Sequence, residues 1–154
     1  GVRVEPAKSV FLRAGLFRTT ALDDILFVAS PRTGFGYFRN FGRTRRQGLE
    51  LVAGAALKRL TLSVSHTLLD ATYRSAETVG GAGNSTNDEG PCGEGNIRIT
   101  PGNRIPLLPR HLFKASADWQ ALPWLALNAD VQAASGVFAR GNENNAHQPD
   151  GGIY

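Results

Sequence analysis

Methionine is missing from all 154 residues, the first included, and cysteine occurs once, at Cys92. The first absence points to a processed product or a fragment of a longer chain. The second excludes an internal disulfide framework. Cys92 lies in Gly90-Pro91-Cys92-Gly93 and reads either as an unpaired loop thiol or as half of a bridge to a cysteine beyond this segment. No histidine is near it in sequence, which argues against a nucleophile. Long apolar runs are also lacking. The longest, Leu51 to Leu57, is about a third of the ~18–20 residues a spanning helix needs. If this chain crosses a membrane, it does so with strands. No signal peptide stands at Gly1. Acidic residues are outnumbered 13 to 17, for a net charge of +4. That balance permits nucleic acid or an anionic membrane surface as partner without choosing between them. The hydrophobic content, 42%, is patterned rather than depleted, so the chain is not disordered.

What is present is alternation with a period of two. Leu60, Leu62, Val64, His66 and Leu68 alternate with Thr61, Ser63, Ser65 and Thr67, which places an apolar face opposite a hydroxyl-bearing one. The pattern recurs as Phe113, Ala115, Ala117, Trp119 and Ala121 against Lys114, Ser116, Asp118 and Gln120. It returns as Leu125, Leu127, Ala129, Val131 and Ala133 against Ala126, Asn128, Asp130 and Gln132. Leu49, Leu51, Ala53, Ala55 and Leu57 share a side upstream. Val10 to Val28 is strand-like in composition, with the alternation broken near Asp23-Asp24. Helical periodicity never wins over a comparable length. The fold class is all-β.

The connections alternate too. Glu5 to Lys8, Lys58-Arg59 and Leu122 to Trp124 are short; Ser30 to Gly36 is modest, and Ser75 to Arg110 is long and rich in Gly, Asn and Pro. The last, opening at Arg140, reads as a loop that runs to the end of the chain. In an up-and-down meander, all short turns then lie at one rim and all long loops at the other. That is the pattern of outer-membrane barrels, with tight periplasmic turns and long extracellular loops. The spans Tyr37 to Leu57 and Leu60 to Arg74 exceed the ~5–6 residues usual for globular strands. About five strands and a stub at Gly1 to Val4 are expected, too few to close a barrel, whose smallest natural forms have about 8. The sheet therefore has open edges and forms part of a larger wall. Trp119 and Trp124 flank the Leu122-Pro123 turn, where an interfacial aromatic girdle on the periplasmic side would lie.

Other groups carry weaker chemistry. Arg39, Arg43, Arg45 and Arg46, interleaved with Phe38 and Phe41, suit lipopolysaccharide phosphates or another anion near the outer rim, or simply solvated charge; a nucleic-acid site is not expected. His66, His111 and His147 lack metal-ligand spacing, and His66 falls awkwardly on the apolar face of its strand. Asp23 and Asp24 point to opposite faces of a strand and form no acid–base pair. Asn87-Asp88-Glu89 and Asn142-Glu143-Asn144-Asn145 are compatible with a calcium ion or with ordinary loop polarity. Asn84-Ser85-Thr86 fits a glycosylation sequon, of little meaning in a bacterial envelope protein. No catalytic constellation emerges; the chain is read as a non-enzyme without a cofactor.

The stretch Asn40-Phe41-Gly42-Arg43-Thr44-Arg45-Arg46-Gln47-Gly48-Leu49-Glu50-Leu51 resembles the late-barrel strand signature of TonB-dependent receptors, with Asn40, Gly42, Gly48, Leu49 and Glu50 matching its pattern. Asp70 to Tyr73 resembles the upper part of the following strand. Gly102 to Pro106 with Pro109-Arg110-His111 resembles the exit of the next loop. Gly42 and Gly48 allow bulges or tight curvature, and Glu50, inward by parity, suits a basic partner across the lumen.

The resemblance implies an outer-membrane receptor in a Gram-negative bacterium that imports a scarce nutrient (ferric siderophore, haem or cobalamin) with energy passed through TonB. It also implies an N-terminal plug inside a barrel of about 22 strands. Residues 1–154 are read as one segment of that barrel, with plug and closing strands outside it. The partners implied are outer-membrane lipid and lipopolysaccharide, TonB by way of the plug, and an imported ligand that the sequence does not identify. Two other classes suit the same residues: a passive porin-like or adhesin-like barrel, and a secreted soluble β-sandwich that binds carbohydrate or protein.

Overall fold

A computed structural model describes residues 1–29, 35–90 and 93–153; Cys92 and Tyr154 lie outside them. The described residues hold no helix. Nine strands run in the order β1 (Val2–Ala7), β2 (Val10–Ala29), β3 (Gly36–Leu57), β4 (Leu60–Tyr73), β5 (Glu77–Gly80), β6 (Asn96–Ile99), β7 (His111–Leu122), β8 (Leu125–Val137) and β9 (Asp150–Ile153). Seven make one antiparallel meander, β1-β2-β3-β4-β7-β8-β9, and β5-β6 is a separate hairpin. The architecture is an unclosed stretch of barrel wall, with β1 and β9 at its edges.

Cross-strand register aligns the alternating residues into rows. Val10, Ala55, Leu62, Ala117 and Ala129 face one another along one row, and Leu12, Ala53, Val64, Ala115 and Val131 along the next. These residues share the apolar face. Among the described residues no second layer covers it: Leu16 is 83% exposed and Leu12, Leu51, Val64, Leu127 and Val131 are exposed as well. A soluble sandwich would bury these side chains, because burial is the main force that holds two sheets together. The other face is polar, with the Ser63 and Ser116 hydroxyls bonded at 2.8 Å and Asn128 donating to Asp118.

The short connections are Lys8-Ser9, Lys58-Arg59 and Pro123-Trp124. The first is displaced from the expected Glu5 to Lys8, because β1 continues to Ala7 through an irregularity after Val4. At the opposite rim the structure departs further from the sequence-based expectation. Ser75 to Arg110 is not a plain loop, since it contains the β5-β6 hairpin. The chain after Arg140 does not run out as a loop either. Residues 150–153 pair with β8, with Ala133 opposite Ile153 and Val137 opposite Asp150. Gly151 and Gly152 erase the alternation that would have marked this strand, and only its neighbour's free hydrogen bonds reveal it.

The one hydrophobic core of the described residues sits at this rim, on the polar-face side. Val28, Phe41, Ala71, Tyr73, Val79, Ile97, Ile99 and Ile105 form it. Phe41 packs on Tyr73 with centroids 5.2 Å apart, and Val79, Ile97 and Ile99 come from the hairpin.

Candidate functional site

The rim core depends on a reversal of sidedness. Asp23 takes a left-handed φ of 53°, a conformation uncommon for a residue other than glycine and least strained for Asp and Asn. Below it, even-numbered β2 residues occupy the apolar face. Above it, the Asp24 carboxylate accepts from the Thr44 hydroxyl and, at 2.8 Å, from Arg46, which lie opposite the odd-numbered Ala21 and Thr19. Asp24 has therefore crossed to the polar face. On β3 the same reversal occurs by Gly42, for Phe41 joins the buried core and Arg39 reaches Glu77, although the odd-numbered β3 residues from Arg43 to Leu57 face outward. The broken alternation near Asp23-Asp24 is this switch.

Loops then cap the polar face. Arg39 pairs with Glu77 at 3.0 Å, and the Glu77 carboxylate also accepts from the Gly42 amide at 2.9 Å. Asn145 clamps the Arg104 backbone in both directions, accepting from its N–H at 2.6 Å and donating to its C=O at 3.0 Å. Thr86 donates to the Gly141 carbonyl, and Asn144 returns a bond to the Thr86 carbonyl at 2.8 Å. The two long connections thus form one assembly. Within it Glu143 is 2% exposed; one carboxylate oxygen accepts from the Gly141 amide and the other has no partner. Burial raises its pKa above the ordinary glutamate range, and raises that of Tyr73, which also feels the Glu143 charge. A carboxyl so placed favours its neutral form.

The sequence-selected residues distribute as follows. Asn40 is exposed on β3, and Gly42 supplies the amide held by Glu77. Gly48 lies under the Phe17 ring, and a Cβ there would come within 2.0 Å of the Leu68 carbonyl oxygen. Leu49 stands on the apolar face opposite Leu16 and Leu68. Glu50 is on the polar face, exposed, and among the described residues it makes no ion pair. Trp119 is 50% exposed on the apolar face between Leu60 and Leu127, and Trp124 is 78% exposed in the turn.

Of the four clustered arginines, Arg39 and Arg46 turn to the polar face in ion pairs, whereas Arg43 and Arg45 do not. His66 is not alone on the apolar face: the His111 ring stacks on it with nitrogens 3.2 Å apart. The glycine-under-phenylalanine pairs, Gly48 with Phe17 and Gly54 with Phe11, were missed by sequence reasoning, though alternate Phe and Gly in adjacent long strands is a usable signal.

Ser85 and His147 approach at 2.8 Å, yet among the described residues no carboxylate orients the imidazole, and the pair ties two loops together. The amides of Asn142, Asn144 and Asn145 are taken up in loop hydrogen bonds, and no group of His, Cys, Asp and Glu among the described residues suits a metal.

Residues 1–152 match the family model described as TonB dependent receptor-like, β-barrel. Among solved structures the chain is similar to the siderophore receptor PiuA from Acinetobacter baumannii, with 17% identity and a TM-score of 0.63. The match covers 94% of this chain and 18% of that one, so the likeness is one of fold, over less than a fifth of that receptor. No curated protein matches the chain.

Proposed function

This chain belongs to the TonB-dependent receptor β-barrel family, an outer-membrane family of Gram-negative bacteria, and we propose that it forms part of the membrane-spanning wall and outer rim of a nutrient-uptake receptor. The cargo class proposed is a ferric siderophore, haem or cobalamin, driven across by energy delivered through TonB to a plug carried elsewhere in the parent protein. The solved siderophore receptor of the same fold supports the first of these cargoes. Asn40, Gly42, Gly48, Leu49 and Glu50 act in this reading as the signature strand, and Trp119 and Trp124 as the periplasmic girdle.

One observation carries the proposal: the uncovered apolar face has the height of a bilayer. It extends from the row of Leu57, Leu60, Trp119 and Leu127 to that of Leu16, Leu49, Leu68 and His111. Leu57 to Leu49 is nine residues of β3, against the ~9–11 a crossing strand needs. At ~3.4 Å per residue and a tilt of ~40° this is about 20 Å, close to the ~25 Å apolar band of such barrels. Above it the same face turns polar, with Arg18 bonded to Gln47 and Gln47 to Asp70.

The test is uptake by the complete parent protein. Cells carrying it should accumulate labelled ferric siderophore, haem or cobalamin, and lose that accumulation when the proton gradient or TonB is removed. Accumulation of a small solute that persists without TonB would favour a passive barrel instead.

A further inference from the structure

We propose that Arg18, Arg43, Arg45 and Arg74 form a binding site for the phosphates of a membrane lipid headgroup on the outside of the wall. The inference rests on the membrane-spanning reading above, which identifies the outside. Four observations carry it. The four arginines lie just beyond the upper edge of the apolar face: Arg18 follows Leu16 by one row, Arg45 is in the next, and Arg43 in the one after. Second, they crowd together. Arg74 continues β4 opposite Arg43, its amide bonded to the Arg43 carbonyl at 2.8 Å, and Arg43 and Arg45 share a side two residues apart.

Like charges directly opposite in a sheet repel, and Arg45 is unfavourably charged against Arg74, Arg18 and Arg43, with Asp70 the one opposing group. Third, none of the four forms an ion pair among the described residues, and the Arg45 Nε is enclosed without a hydrogen-bond acceptor. Their neighbours on the same strand, Arg39 and Arg46, do have carboxylates. A cation cluster of this kind needs an anion brought from outside, and guanidinium forks match phosphate oxygens two at a time. Fourth, Leu22, opposite Arg43 and 68% exposed, and Leu16, 83% exposed, offer apolar contact within the same patch. A free phosphate has no use for that contact, whereas a lipid does.

The complete parent protein in liposomes, then extracted into detergent micelles for native mass spectrometry, provides the test. The probes are a bis-phosphorylated glycolipid of the lipid A type, its dephosphorylated form, phosphatidylglycerol and inorganic phosphate. The expected result is retention of the bis-phosphorylated glycolipid, reduced at least tenfold in R43Q/R45Q and weakened by salt. K58Q/R59Q, which removes equal charge at the opposite rim, should retain it fully.

Equal retention by R43Q/R45Q, equal retention of the dephosphorylated lipid, or full displacement by inorganic phosphate at equal concentration overturns the site. Retention of phosphatidylglycerol alone likewise overturns it, because four clustered guanidinium groups match a headgroup with two phosphates rather than one with a single phosphate. If R43Q/R45Q does not insert, R74Q, beyond the end of β4, is read in its place against the same threshold. A wild-type protein that never gives a heat-modifiable inserted form contradicts the membrane reading, and is thereby distinguished from an inserted protein indifferent to these arginines.

Discussion

At the scale of single residues, the wall is held by close approaches that hydropathy does not report. Gly48 admits the Phe17 ring on the polar face, and a Cβ added there would meet the Leu68 carbonyl oxygen at 2.0 Å. Alanine there forces the β3–β4 ladder apart, at a cost of about 3 kcal/mol, the upper end for overpacking. Gly15, with open space around it, is the control: G48A should lower the urea midpoint of the refolded protein clearly, and G15A should leave it within about 0.5 kcal/mol. Glu143 gives a pH signature. Its folded-state pKa is raised by burial, so the folded loops bind a proton more tightly than the unfolded chain does. Their stability is then fully present at low pH and declines as pH rises from the ordinary glutamate value through the folded one. Hydrogen-exchange protection of residues 138–147, corrected for the intrinsic rate, should fall across that window, and E143Q should abolish the fall. Protection that is flat with pH in the native chain would contradict the buried carboxyl.

At the scale of elements, the five long strands and their two faces were legible because each strand crosses with one side apolar, and alternation reports that directly. The Leu60–Leu68 and Phe113–Ala121 patterns needed no further information. Three features were not legible. The reversal at Asp23 looks in sequence like a failed strand, since a positive φ exchanges the faces without changing composition. β9 contains two glycines, whose lack of side chains leaves no pattern. The β5-β6 hairpin is four residues on each side, and what makes it a strand pair is the core it shares with Phe41 and Tyr73, contributed by distant strands. The rim site was hidden for a related reason. Arg39, Arg43, Arg45 and Arg46 appear as one cluster; parity separates Arg46 from Arg43 and Arg45, and only the reversal near Gly42 puts Arg39 on the same face as Arg46. The division of faces predicts an asymmetry in substitution. Val64→Lys, placed near the middle of the apolar face, should cost about 2–4 kcal/mol in a bilayer. Ser65→Lys, one residue on, should cost less than about 1 kcal/mol. Equal costs, measured by urea unfolding from liposomes, would reject the assignment of faces.

At the scale of the whole molecule, an antiparallel sheet of seven strands with one bare apolar face has two unsolved problems in water: the face itself and the edges at β1 and β9. A bilayer and further strands resolve both, since every backbone group in hydrocarbon must be paired within the protein. The rim then has a separate logic, with a small core and interlocked loops built on the polar side and unpaired arginines left on the outer side. The most direct test is a spin-label scan of positions 60–68 in the complete parent protein, reconstituted in a bilayer on a Cys92→Ser background. Dissolved oxygen should relax labels most at 62, 64 and 68, and a water-soluble nickel reagent should relax them most at 61, 63 and 65. Uniformly low access of both reagents to the even positions would mean that protein covers this face, and would contradict the account.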